Sequence, residues 1–587
     1  MIGRGGFRTA RGRACAAILL TAAQWAGCGK EGERADSRAL SVPAKEPPAG
    51  DWFIDITRDV GLNFTYETGA TGRYHFAEIM VGGVALFDYD NDGDLDLYFT
   101  NGHRQLPKLL GAGNERNRLF RRDPDGRYTD VTTESGLGDV GYGMGVAVGD
   151  VDNDGDLDVF VTNFGPDRLY LNRGDGRFED VTERAGIDVN GWSSSAAFFD
   201  MDADGFLDLY VARYIEHNPL NACYDQAGRP DYCSPKSGPP VPDVLLHNNS
   251  RSGAVKFTDI SDSAGISAVA AAGLGVVCDD FDDDGRIDVY VANDGYPNQL
   301  WINRGDGTFD EKAFMLGVAL NMAGKAEAGM GVIAADFDND LTVDLFMTHL
   351  REESNTLYRN LGSSLGFRDA SADSGLGADS LPLTGFGTAA FDMDLDGSLD
   401  IVVVNGRVVR GELVPGASVP SFWQPYAEPN FVYLGDGKGR FSGLGSRAGR
   451  LASSIEVSRG LAVGDIDEDG DVDLVVSNLQ SPARLYRNVG PRHGHWLRVG
   501  ALDPDLNREA AGSRVTVTCG DRRWMRTVGG SFSYLSFSES TAHFGLGSCD
   551  RVDRIDVRWL GGPAERFPGV QADQSIVLRR GGGVPMP

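Results

Sequence analysis

The sequence predicts an all-β chain: a seven-bladed β-propeller whose last blade is closed by an N-terminal strand, plus a small C-terminal β-rich domain. Three observations predict it. A loop of the form Asp-x-Asp-x-Asp-Gly-x-x-Asp, running directly into an apolar strand, occurs seven times, with the glycine replaced in one copy. Each copy is flanked by short β-branched or aromatic strands separated by Gly, Asn and Asp turns. The two ends of the repeat region carry complementary fragments of one unit. Long-period repeats signal solenoids, propellers or arrays, and four antiparallel strands per unit describe a propeller blade.

The loops place aspartates at positions one, three, five and nine. The first loop holds Asp88, Asp90, Asp92 and Asp96; the second Asp150, Asp152, Asp154 and Asp158; the third Asp200, Asp202, Asp204 and Asp208. The fourth holds Asp280, Asp282, Asp284 and Asp288; the fifth Asp336, Asp338, Asp340 and Asp344. The sixth holds Asp392, Asp394, Asp396 and Asp400, and the seventh Asp465, Asp467, Asp469 and Asp473. Their starts lie 62, 50, 80, 56, 56 and 73 residues apart, so the longer units carry inserted loops. A Gly-rich apolar run such as GMGVAVGD precedes each loop. A second module follows, as in DRLYLNRGDGRFEDVTERAGI from Asp167 to Ile187. One unit thus reads strand, Asp loop, strand, polar loop, strand, Gly-Asp-Gly hairpin, strand. The seventh unit runs through ARLYRNVG, Ala483 to Gly490, and lacks its fourth strand. WFIDITRDVGL, Trp52 to Leu62, is such a strand without the rest of a unit, and pairing it there removes an exposed edge.

Unneutralised carboxylates about 4 Å apart repel by roughly 4 kcal/mol per pair at an effective dielectric near 20, so a cation is expected among them. Calcium takes six to eight hard oxygen ligands, whereas magnesium prefers an octahedron with more water. Alternate residues of a curled loop point inward, so aspartates one, three and five converge and the ninth closes the shell. Glycine at position six permits the turn. Position seven offers its backbone carbonyl, which is why Phe206, Arg286 and Ser398 are tolerated there. Up to seven Ca²⁺ are expected. The fifth site is expected to be the weakest, because Leu341 replaces the glycine.

The net charge of the 587-residue chain is −30. Much of that acidity is loop chemistry, and a surface this negative argues against nucleic-acid partners. Residues 1–28 read as an export signal: Arg4, Arg8, Arg11 and Arg13 precede a short apolar run ending in WAGC. The run is too short to span a membrane. WAGC resembles a lipobox with Trp25 where leucine is usual, so Cys28 is the expected lipidation site, with ordinary signal cleavage as the alternative. Residues 29–50 then form a flexible tether, residues 51–490 the propeller and residues 491–587 the C-terminal domain. The expected location is the cell envelope, as a lipoprotein, or the extracellular medium, with membrane contact only through the lipid; a monomer is expected. Cysteine usage fits an oxidising compartment: Cys223 with Cys233 and Cys519 with Cys549 are expected disulfides, and Cys278 a buried free thiol.

Two further motifs carry no function. RGD at Arg173 and at Arg304 occupies the repeat's own hairpin turn. GYGMG from Gly141 opens a strand with no helix after it. No catalytic triad or histidine metal set is identifiable. A ring of residues follows each Asp-loop strand: Asn101, Asn163, Arg213, Asn293, His349, Asn405 and Asn478. These either cap strand ends or edge a ligand site on the face opposite the loops, with His103, Tyr214 and Arg407 as its first candidates.

The seven loops and the strands before them resemble the FG-GAP/VCBS repeats of integrin-α-type propellers. HWLRVGAL, NREAAGSRVTVTCG, AHFGLG and RIDVRWLGG in the C-terminal part resemble the ASPIC/UnbV domain, although Ala510-Ala511-Gly512 departs from its usual Gly-Ile-Gly-Ala run. Together they resemble the cartilage acidic protein family. The resemblance implies an extracytoplasmic calcium-binding propeller and no particular reaction. The function expected is a non-enzymatic binding, scaffold or adhesion protein for protein or glycan ligands. The alternative is a polysaccharide hydrolase or lyase built on the same fold.

Overall fold

The strand that leaves the Asp loop is buried along most or all of its length, fully so in Asp288–Asn293, Asp400–Asn405 and Asp473–Asn478. Such strands read as near-continuous apolar runs because both faces are covered. A computed structural model describes residues 50–103, 115–219, 221–251 and 254–586. The expected export signal, Cys28 and residues 29–49 of the tether lie outside the described residues.

The protein is all-β. The second repeat shows the unit: strands Gly143–Gly149, Asp158–Pro166, Arg168–Asn172 and Phe178–Asp180 pair antiparallel in that order. The same four-strand order starts at Val84, Asn190, Gly273, Val332 and Gly385. Asn190–Trp192 also pairs with Phe164–Pro166, joining the second and third groups. The last group contains Ser458–Gly464, Asp473–Asn478 and Arg484–Asn488, and its fourth strand is Phe53–Asp55, with Phe53 opposite Asn488. Strand Val84–Phe87 of the first group lies beside Ser458–Gly464 of the last. Apolar side chains interdigitate between consecutive groups, as Phe160 and Leu169 do with Phe198 and Leu246.

Outer strands are short, and typically only their first residue is buried, as in Tyr128–Asp130 and Phe257–Asp259. After them comes an element that the sequence reading did not separate from the strand. Four-residue helical turns occupy Thr132–Ser135, Thr182–Ala185, Ser261–Ala264, Ala313–Leu316 and Ser371–Ser374. Each ends on a left-handed glycine: Gly136, Gly186, Gly265, Gly317 and Gly375.

Two further sheets follow from His495. One carries His495–Asp503 between Ala542–Gly547 and the parallel strand Gln574–Arg579. The other orders Arg522–Thr527, Arg514–Cys519, Arg554–Arg558 and Ala564–Pro568. They share a core around Leu497, Val515, Phe544 and Ile555. Cys519 bonds to Cys549 here, and Cys223 bonds to Cys233 in the long third-repeat insertion.

This C-terminal region was expected to be a separate piece. Instead, residues 529–540 leave it and run among the first strands of the repeats. Phe537 exchanges backbone hydrogen bonds with Val84 and Leu86, each 3.0 Å. Ser533 does so with Val332, Leu535 accepts from Val146, and Glu539 donates to Val463. Tyr534 and Leu535 are fully buried, and the Tyr534 hydroxyl donates to the Met80 carbonyl at 2.6 Å. One glycine of the Gly-rich strands has its reason here: a Cβ on Gly83 would stand 2.5 Å from the Leu535 carbonyl oxygen.

Candidate metal centres

Each Asp loop folds on its own backbone amides. In the second loop, Asp150 Oδ1 accepts from the Asp154 amide (3.2 Å) and Oδ2 from the Gly155 amide (2.9 Å). Asp154 Oδ1 accepts from the Asp156 amide, 3.0 Å away. Asp158 accepts from Val151 and, across the sheet, from Asn172 at 2.8 Å. The remaining loops repeat the position-one pattern through Asp88, Asp200, Asp280, Asp336, Asp392 and Asp465. Positions one, five and nine are thereby fixed.

Position three is different. Oδ1 of Asp90, Asp152, Asp282, Asp338 and Asp467 is buried without a hydrogen-bond partner. In the first four loops a carboxylate oxygen of position three lies with those of positions one and nine inside a 4.8 Å cluster: Asp88, Asp90 and Asp96; Asp150, Asp152 and Asp158; Asp200, Asp202 and Asp208; Asp280, Asp282 and Asp288. Buried polar groups are normally paired, and an unpaired carboxylate oxygen close to two others is a set of hard oxygens of the kind that could hold a cation. The electrostatics agree. Burial, reinforced by neighbouring aspartates, pushes Asp150 up to about 7, and Asp96, Asp208, Asp288 and Asp392 up to about 8. A bound divalent ion would invert that shift.

The turn has two left-handed positions where the sequence reading saw one. Position six has φ of 92° to 98° in its six glycines, and Leu341 of the fifth loop takes 72°. Position four is also left-handed, at 57° to 62°, in Asn91, Asn153, Ala203, Asp283, Asn339, Leu395 and Glu468. Asn and Asp tolerate this region best. Leu395 therefore puts some of the same strain into the sixth loop that Leu341 puts into the fifth.

Arginines and one histidine also reach these carboxylates, which the sequence reading missed. From the third strands, His247 Nε2 lies 3.2 Å from Asp202, Arg487 lies 3.7 Å from Asp467, and Arg359 contacts Asp338. Leu171, Ile302 and Leu434 stand at the equivalent places of the second, fourth and sixth repeats. From the C-terminal sheets, Arg508 lies 3.6 Å from Asp200, Arg558 3.3 Å from Asp280 and Arg498 3.7 Å from Asp465. Arg514 pairs with Asp279 at 2.8 Å. Trp524 Nε1 donates to the Gly397 carbonyl and His543 meets the Gly470 carbonyl, both at 2.9 Å. The C-terminal sheets thus rest on the loops of the third, fourth, sixth and seventh repeats.

Among the described residues, the ring on the far side of the strands forms no open site. Asn163, Asn293, Asn405 and Asn478 are buried and donate through Nδ2 to the carbonyls of Pro166, Pro297, Pro429 and Pro482. They order turns, which is the plainer of the two expectations. Asn101 and His349 are also buried, and Arg213 donates to the Asn190 carbonyl. The three candidates beside the ring are buried too. His103 packs against Tyr142, Tyr214 donates to Asp294 at 2.5 Å, and Arg407 pairs with Glu428 at 2.8 Å.

Comparison with known proteins matches this organisation. The FG-GAP-like repeat pattern fits residues 88–161, 150–211 and 280–347, and the pattern called ASPIC and UnbV fits residues 503–585. The chain carries FG-GAP-like repeats and an ASPIC and UnbV domain. It is similar to cartilage acidic protein 1 of Mus musculus, 26% identical over 493 residues, covering 82% of this chain and 61% of the mouse protein. The Xenopus tropicalis protein of that name is 27% identical, covering 82% of this chain and 70% of its own. The chain therefore spans about three-fifths of the mouse relative's length. Among solved structures, an Agrocybe aegerita lectin specific for non-reducing terminal N-acetylglucosamine aligns with a TM-score of 0.39 at 14% identity, covering 68% of this chain and 86% of the lectin.

Proposed function

We propose that this is an exported, calcium-stabilised binding or scaffold protein, in which the four-strand groups are the blades of a seven-bladed propeller closed by Phe53–Asp55. Aspartates one, three, five and nine of each loop would hold Ca²⁺, together with the carbonyl of position seven. The observation that carries the reading is the buried, unpartnered position-three oxygen, repeated in five of the loops. Carboxylates and a carbonyl form an all-oxygen donor set suited to Ca²⁺. The ion would supply the positive charge that lets several ionised carboxylates share one small volume.

The reading is non-enzymatic. The strongly shifted carboxyls away from the loops are raised by burial, Glu78 and Asp167 to about 8 and Asp243 and Glu428 to about 7, and all four are buried, with little surface to offer a substrate. A docking role has support on the inserted segments. Val409, Leu413 and Tyr224 are 56%, 63% and 64% exposed there. The third-repeat insertion and the sixth-repeat connection between Asp400–Asn405 and Phe431–Gly435 touch through the Arg410 amide, which donates to Asp231 at 3.1 Å. Among the described residues no helix is long and apolar enough to cross a membrane. Membrane attachment would be through Cys28, so Cys28→Ser should release the protein from membranes. Retention of that variant would reject the lipid anchor.

Thermal unfolding tests the calcium reading. Chelation with EGTA is expected to lower Tm by more than about 10 °C, because ligands that bind only the folded state stabilise it by mass action. Coincident curves in calcium and EGTA would overturn the reading.

A further inference from the structure

The third repeat brings a histidine to its Asp loop. His247 lies in strand Val244–Asn248, just before Asn248, whose amide donates to Asp208 at 2.7 Å. It stands 45 residues along the chain from Asp202, so spacing in the sequence hides it. Asn172 and Asn303 make the same bond in the second and fourth repeats, and Leu171 and Ile302 precede them. The place is taken by Arg121, Arg359 and Arg487 in the first, fifth and seventh repeats and by Leu434 in the sixth. A guanidinium has no lone pair to give a metal, and an apolar side chain has none either. Of these side chains, His247 alone can be a ligand.

Its geometry suits one. Nε2 lies 3.2 Å from Asp202 Oδ2 and 3.9 Å from Asp208 Oδ1. A carboxylate oxygen of Asp204 shares a 4.8 Å cluster with ligand atoms of Asp202 and His247. Ligands set tetrahedrally around zinc, with bonds near 2.0–2.1 Å, stand about 3.3 Å apart. The histidine reaches the position-three carboxylate, the one whose oxygen is buried and unpartnered in five other loops. Arg508, 3.6 Å from Asp200, already compensates position one from the other side. The His247 and Asp202 side chains keep 22% and 33% of their surface exposed, which leaves an ion a way in. Calcium prefers an all-oxygen shell, whereas imidazole suits zinc.

We propose that the third loop takes a zinc ion in preference to calcium, bound through His247 Nε2 and the carboxylates of Asp202, Asp204 and Asp208. The proposal rests on the reading of the loops as cation sites, and adds that one loop selects its metal by a nitrogen ligand.

The test is native mass spectrometry of the purified exported chain in millimolar calcium, with zinc added at micromolar concentration. One zinc ion per chain is expected, in exchange for one calcium. His247→Leu, which copies the second repeat, should weaken zinc binding at least about tenfold, since even the outer-shell partners of a metal ligand are worth that much. Its calcium count without zinc should stay that of the wild type. On the wild-type chain, zinc and not calcium should block carbethoxylation of His247 by diethyl pyrocarbonate, read by peptide mass spectrometry. Calcium in the loops with no zinc retained would overturn the proposal and leave the calcium reading standing. One zinc ion that depends on His247, in a chain that holds no calcium, would uphold the proposal and reject the calcium reading. Equal zinc binding by folded His247→Leu would overturn the proposal and assign the ion to other histidines. Should that variant fail to fold, the protection of His247 decides: equal modification with and without zinc would overturn it.

Discussion

The fifth loop shows how single residues rank otherwise similar sites. Leu341 sits at a φ of 72°, where a side chain costs on the order of 1 kcal/mol or more. Arg359 contacts the Asp338 carboxylate, so part of the charge an ion would neutralise is already neutralised. In the second loop a glycine turns the chain and Leu171 stands where Arg359 does. Asp152→Ala is therefore expected to lower Tm in saturating calcium clearly more than Asp338→Ala. Ion counting by native mass spectrometry should find one ion lost from the first variant and none from the second; the reverse order would mean that the fifth site binds well. Leu341→Gly should stabilise the protein by about 1 kcal/mol in calcium, since glycine takes this conformation freely. A fall in Tm for that variant would show that the leucine side chain packs to advantage. The aspartates were legible in the sequence because their spacing is strict. The left-handed fourth position was not, because Ala203, Leu395 and Glu468 give no signal of it. The arginines were hidden by distance along the chain: Arg514 is 235 residues from its partner Asp279.

At the level of elements, the strands were readable from their apolar runs and turn residues, and so was the stray N-terminal strand that pairs with Asn488. The four-residue helical turns were too short for any helical periodicity to show. Residues 531–538, which run among the first strands of the repeats, read SFSYLSFS, an alternation that suits a half-buried strand, and nothing local says that they run there. Their importance can be measured. Tyr534 is fully buried, with its ring edge-on to Phe386 at 4.8 Å. Tyr534→Ala should cost about 3–5 kcal/mol, the usual loss for truncating a buried aromatic. Hydrogen exchange should then show faster exchange at the Val146 and Val332 amides, which bond to this segment. Unchanged protection there would mean that the segment lies on the strands without supporting them.

For the whole molecule, the central question is what neutralises the loops. Without metal, the raised carboxyls make folding proton-linked. Asp96, Asp208, Asp288 and Asp392 titrate near 8 in the folded chain, against about 4 when unfolded. The folded chain then holds protons that the unfolded chain has released, so stability is full below about pH 4 and is lost as the pH rises towards 8. In EGTA, Tm is expected to fall from pH 5 to pH 8. In calcium the trend should reverse, because the ion binds ionised carboxylates. Parallel pH profiles with and without calcium would contradict this linkage. The most direct measurement is the number of calcium ions held by the folded chain, counted by native mass spectrometry before and after chelation. Six or seven ions per chain, all removed by EGTA with a fall in Tm, is the expected result. A folded chain that holds no calcium at millimolar concentration would contradict the account, and would leave the arginines and protons as the neutralising charges.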